Sequence, residues 1–172
     1  MKRITPQNWL EPDPTGAPAG TDPQAWRDEF LAIDLDRKVP QAVAGMFETA
    51  RGCLIYGRLF APLVTLGVEH CYWVLEAGVR ARCVQLGLPI SVTDRQGRTH
   101  SLSFAHNLRQ LQEKGAVGEE DLALWQQAGE LRDWAAQPRH GEQVGPEHAH
   151  TALKRAAELL NGLFVRREED QP

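Results

Sequence analysis

No Gly-rich phosphate loop, no Gly-x-Ser-x-Gly elbow and no His-Glu-x-x-His helix occurs in these 172 residues. A P-loop nucleotide site, a serine-hydrolase elbow and a zinc-protease helix each need their own spacing, so none is expected. Cysteine is sparse: Cys53, Cys71 and Cys83 make no CxxC pair and no disulfide framework. All three read as reduced thiols of a cytoplasmic protein, with core packing as their usual role. Charge of one sign is also lacking. Lys and Arg total 19 against 23 Asp and Glu, a formal net charge of −4, which argues against a general polyanion binder but leaves room for a local basic cluster. No long apolar run is present either. The longest apolar stretch, Leu59 to Val84, is broken by Glu69, His70, Glu76, Arg80 and Arg82, too many charges for a bilayer span. Residues 1–20 contain no apolar leader core, and no cofactor, metal or membrane partner is expected.

What is present is a chain of ordinary solubility, 42% apolar and 24% charged, with enough apolar residues for one core. The predicted organisation is an extended arm over 1–22, one helical-bundle domain over 23–167 and a polar tail over 168–172. The arm holds Pro6, Pro12, Pro14, Pro18, Gly16 and Gly20, which resist helix formation. Trp9 and Leu10 are candidates to pin it onto the body or onto a partner.

Helix signals dominate the remainder. Asp22-Pro23 reads as a cap and first turn, followed by Trp26, Phe30 and Ile33. Val43, Phe47, Ala50 and Leu54 share one face of a second helix from about Pro40, which Gly57 and Pro62 interrupt, Pro62 by breaking or kinking it. Val64, Val68, Cys71, Leu75 and Val79 stripe a third, from about Leu63 to Leu86, with Gly87 and Pro89 closing it. Residues 88–102 are the least helical, and a β-like loop without a sheet is expected there. Ser103 caps a short helix from Phe104 to Lys114. Gly118-Glu-Glu-Asp121 opens a helix whose predicted buried stripe is Leu124, Ala128, Leu131 and Ala135, and which Pro138 stops. Pro146 starts the last helix, with Leu153, Ala156, Ala157, Leu160, Leu163 and Phe164 as its core face. The expected fold is all-α, a bundle of five to six helices.

Histidine offers little by spacing. His148 and His150 stand i, i+2, on different helix faces, so a shared metal is not expected; His70, His100 and His106 read as structural or surface groups. The informative segment is Glu130-Leu-Arg-Asp-Trp-Ala-Ala-Gln-Pro-Arg-His140, which joins two arginines, an acid, an amide and a histidine near the end of a helix. Arginine can hold phosphate bidentately, and histidine can move a proton near neutral pH. Together they could cleave RNA without metal, the 2′-hydroxyl acting as nucleophile. The plainer alternative is a C-capping turn with ordinary surface charges.

From about Pro40 to Phe164 the chain resembles the HEPN superfamily. The resemblance is carried by a long helix of small and apolar residues, a loop, a short helix ending in Lys-Gly and a helix bearing Leu-Arg. The final helix, Ala152-Leu-Lys-Arg-Ala-Ala-Glu-Leu-Leu-Asn-Gly-Leu-Phe164, completes it. Leu131-Arg132-Asp133-Trp134-Ala135-Ala136-Gln137-Pro138 looks like a version of the family's Leu-Arg-Asn-x-Ala-x-His-Pro stretch. The resemblance implies a homodimer in which Arg and His, with four to six residues between them, meet at a dimer seam and cut RNA without metal. Two positions depart from the pattern. Asp133 stands where Asn is usual, and Gln137 stands where the histidine belongs. Glutamine can hydrogen-bond phosphate but cannot shuttle protons at neutral pH. His140 is the nearest substitute, beyond Pro138 and outside the family's spacing. Arg139 and Glu142 stand where some members carry a modified tyrosine, so that form of regulation is not expected.

Three functions fit these residues. The first is a HEPN-like RNA- or protein-binding domain with a degenerate ribonuclease site, in a defence or toxin–antitoxin setting, with Arg132 and Arg139 on phosphate and Asp133 and Gln137 making polar contacts. The second is an active metal-independent endoribonuclease using Arg132 and His140. The third is a structural helical scaffold that grips a protein partner through the arm and Trp9.

Overall fold

The computed structural model describes residues 2–135 and 144–165, the side chains of 129–135 excepted. Among the described residues the fold is all-α, six helices with one small surface hairpin. The first helix, α1 (Pro23–Leu31), is set by its cap: Asp22 Oδ2 accepts the N–H groups of Gln24 and Ala25 at 3.0 and 2.9 Å. It buries Trp26 and Phe30, and Trp26 Nε1 donates to the carbonyl of Ile55 on α2 (Gln41–Tyr56) at 3.2 Å. Val43, Phe47, Ala50 and Leu54 on α2 are all buried, as their spacing predicts. The helical run is interrupted as expected: α2 ends at Tyr56 with Gly57 as its C-cap, and Pro62 becomes a first-turn residue of α3 (Pro62–Gln85).

The long helix α3 is the axis of the molecule. It packs on α2, on α4 (Phe104–Glu113), on α5 (Glu119–Ala135) and on α6 (Pro146–Val165). Val64, Val68, Cys71, Leu75 and Val79 all lie in the core. Two glycines let the chain approach closely: a Cβ built on Gly67 would stand 2.6 Å from Leu54 Cδ2, and one on Gly78 2.3 Å from Leu160 Cδ2. The predicted face of α6 is buried throughout. On α5 the periodicity misplaced the weight. Trp125, at 2% exposure, is the largest side chain fully inside, while Leu124 is only half-buried. The expected Leu131 and Ala135 side chains, the stop at Pro138 and the tail over 168–172 lie outside the described residues.

The expectation of a loop without a sheet is corrected. Ser91–Thr93 (β1) pairs antiparallel with Thr99–Ser101 (β2), with Val92 opposite His100. Every strand residue is exposed, so no hydrophobic alternation marks the pair in the sequence. The turn makes it instead. Asp94 Oδ1 accepts the N–H groups of Gln96 and Arg98 at 2.8 and 2.9 Å, and Gly97 takes a φ of 78°.

The arm is docked, but not by the residues expected to pin it. Trp9 and Leu10 are each 59% exposed, whereas Asp13 is 4% exposed. Asp13 Oδ2 accepts the Ala61 N–H at 3.1 Å, and its own N–H donates to the Arg58 carbonyl at 2.7 Å. The short carboxylate thus holds the residue that immediately precedes α3, tying the arm to the start of that helix. A similar polar stitch ties α1 and α2 together through Arg51, which is buried beside Phe47. Its guanidinium donates to the carbonyl of Ile33 and pairs with Asp34 at 3.2 Å and Glu48 at 3.2 Å.

Candidate functional site

The five residues singled out in the sequence fall at the far end of α5 and beyond it. Arg132 and Asp133 belong to the last turn of α5, and their side chains are outside the described residues. Gln137, Arg139 and His140 lie outside the described residues altogether. The backbone nonetheless gives the segment an address. Arg132 is one helical turn beyond Ala128, and Ala128 lines the larger of two neighbouring hollows.

That hollow is a groove of about 710 Å³ between α3, α5 and α6. Val68, Cys71 and Leu75 of α3 and Ala128 of α5 line its apolar part. Its polar rim comes mainly from α6. His148, Thr151, Ala152 and Arg155 stand at i, i+3, i+4 and i+7, one face of one helix. The chain is tied down just before α6 begins: Val144 N–H donates to Thr65 Oγ1 of α3 at 3.2 Å, and His148 N–H donates to the Gly145 carbonyl at 3.1 Å. These bonds fix where the first turn of α6, and hence His148, sits against α3.

The electrostatics are mixed. His148 Nε2 is 3.7 Å from Glu147 Oε1, and Arg155 Nε is 4.0 Å from Glu158 Oε2, all exposed groups whose pairings are loose. Tyr72 also lines the groove, and burial pushes its hydroxyl up to about 12, so it stays a neutral donor at physiological pH. Burial likewise pushes the Cys71 thiol up to about 12, which removes it as a nucleophile. A second hollow of about 550 Å³ adjoins the first through Leu124 and Arg155, which line both, and continues past Trp125 to Gly162. Arg155 therefore stands between the two.

Chemically, the groove can seat a ring or apolar segment against Tyr72 and Leu75 while Arg155 and His148 take an anionic group. Among the described residues no three His, Cys, Asp or Glu side chains come together to hold a metal ion. His148 and His150 diverge as their spacing predicts: His148 lines the groove, while the His150 ring packs edgewise on Phe30 with centroids 6.0 Å apart. Arg155, Tyr72 and His148 were not read as functional in the sequence. The i, i+3, i+4, i+7 step on α6 was visible there, but nothing marked that face as opposite a hollow. Among the described residues no helix is long and apolar enough to cross a membrane. No protein-family model, no curated protein and no solved structure matches the chain.

Proposed function

We propose that the chain is a HEPN-like RNA-binding domain with a degenerate ribonuclease site, acting as a homodimer in the cytoplasm within a defence or toxin–antitoxin system. One observation carries the proposal: α5, the helix with the Leu-Arg-Asp stretch, walls a groove whose opposite wall offers His148, Thr151 and Arg155. A guanidinium and an imidazole beside an aromatic ring are the groups that hold a single-stranded nucleotide, by phosphate contact and by stacking. Arg132 and Arg139 would add phosphate contacts, and Asp133 and Gln137 polar ones. Gln137 in the histidine position removes the proton carrier, so the domain binds RNA without turning it over.

The test is fluorescence anisotropy with a short single-stranded RNA in EDTA. Binding should weaken steeply with salt. Arg155→Ala and Arg132→Ala should each lower the slope of log K against log salt by roughly one charge or less. Absence of binding at low salt, or binding indifferent to both substitutions, would reject the proposal. The same mixture run on a gel tests the active-enzyme alternative. Cleavage that disappears in both Arg132→Ala and His140→Ala would show that His140 has replaced the missing histidine.

A protein-binding scaffold has its own support in the arm. Ile4, Trp9 and Leu10 are all more than half exposed on a segment that Asp13 holds in place. It requires that Trp9→Ala abolish partner capture while Arg132→Ala and Arg155→Ala do not.

A further inference from the structure

Most of the surface of α3 is covered by α2, α4, α5 and α6, but one strip of it is not. Leu66, Trp73 and Val84 are 52, 49 and 58% exposed. With the half-buried His70, Ala77 and Arg80 they run 66, 70, 73, 77, 80, 84 along the helix. The steps of four and three are the spacing by which one helix presents a continuous seam to another. The strip runs from Leu66 to Val84, about 27 Å at the helical rise. Three large apolar side chains aligned on one rigid helix are more than the scattered exposed residue that needs no explanation.

We propose that this strip is the seam of a two-fold homodimer, with α3 of one copy antiparallel to α3 of the second. The large and small residues of the strip complement one another in that arrangement. With the two-fold beside Leu75, Leu66 lies opposite the second copy's Val84, and Trp73 opposite its Ala77. The bulkiest residue of the strip thus meets the smallest, twice. Glu69 borders the strip on the same side as Arg80, and the same two-fold brings it within one residue, about 1.5 Å along the axis, of the level of the second copy's Arg80. Acid therefore meets base, also twice. A parallel pairing would stack Trp73 on Trp73 and Arg80 on Arg80, which crowding and like charge oppose. An unrelated partner would have no need of a strip whose halves complement each other, whereas an isologous interface requires it.

The seam refines the self-association named above and rests on that part of the proposed function, not on RNA binding. The experiment is sedimentation equilibrium of the full chain over micromolar to hundred-micromolar concentrations. Wild type should be a dimer, and Trp73→Glu a monomer with an unchanged helical circular dichroism spectrum. Glu69→Arg and Arg80→Glu should each weaken the dimer at least several-fold, and the double exchange should restore it. Leu66→Cys mixed with Val84→Cys should form a disulfide-linked dimer on mild oxidation, while neither variant alone should, beyond the wild-type background from Cys53. A monomeric wild type would overturn both the seam and the self-association. A dimer that survives Trp73→Glu, or a Leu66→Cys protein that links to itself, would overturn the seam alone. Loss of RNA binding in an intact dimer would leave the seam standing.

Discussion

Asp13 Oδ2 accepts the backbone N–H of Ala61 at 3.1 Å, a bond that spans 48 residues and joins the Pro/Gly-rich arm to the start of α3. The Asp13 carboxylate also takes the Thr15 N–H at 3.1 Å and the Thr15 hydroxyl at 2.9 Å. One buried side chain thus satisfies three donors and organises both the arm and a helix N-terminus.

Replacing Asp13 by Ala should therefore cost about 1–3 kcal/mol, because the buried Ala61 N–H loses its acceptor. Urea unfolding measures the loss. Limited proteolysis should show the arm cut first in the variant, and Trp9→Ala, which removes an exposed side chain, should do neither.

The same contact makes arm docking dependent on pH. Burial pushes the Asp13 carboxyl up, but the Ala61 and Thr15 N–H groups, the Thr15 hydroxyl and the Lys2 ammonium outweigh it, and the net value lies below the usual carboxylate range. A depressed carboxyl contributes stability that is present above its unfolded value, about 3.9, and is lost as pH falls through the folded one. Wild type should accordingly lose stability relative to Asp13→Asn as pH falls below about 5, with the difference constant from there to neutrality. A difference that instead changed between pH 5 and 7 would point to another group.

Two glycine substitutions should have opposite signs. Gly78→Ala puts a methyl 2.3 Å from Leu160 Cδ2 where α3 meets α6, and should destabilise by about 1–3 kcal/mol. Gly45→Ala on the exposed side of α2 meets nothing within 4 Å and should stabilise by about 0.5–1 kcal/mol. Thermal melts of the two variants beside wild type check both.

Thiol chemistry should be confined to one cysteine. Cys53 is half-buried, whereas Cys71 and Cys83 are buried with their thiols pushed up by desolvation. Titration of the native protein with a thiol reagent should show one fast equivalent and two that appear on unfolding. Cys53→Ser should abolish the fast one.

Within the groove, Arg155 borders both hollows, so Arg155→Ala should weaken binding of a longer RNA more than that of a dinucleotide. Circular dichroism should be unchanged, because the side chain is exposed. Equal losses for both lengths would show that Arg155 serves only one hollow.

Local chemistry made most of the fold legible from sequence. The cap at Asp22, the break at Pro62, the cap at Ser103 and the start at Pro146 each act within a few residues, and so do the 3.6-residue stripes of α2, α3 and α6. The hairpin escaped because its strands are exposed on both faces and its signal sits in the Asp94 turn. Trp125 escaped because a stripe of Leu and Ala at the same spacing looked sufficient. The candidate site was legible only as a set of residue types near the end of α5. By itself, then, the sequence determined the helices, their capping and most of the core, since those depend on neighbours within one or two turns. Only the tertiary structure decided that Asp13 rather than Trp9 anchors the arm, and that His148 and Arg155 face a groove. It alone left one side of α3 uncovered as well. These outcomes are set by which surfaces meet across the bundle, and surfaces brought together over tens of residues leave no local pattern to read.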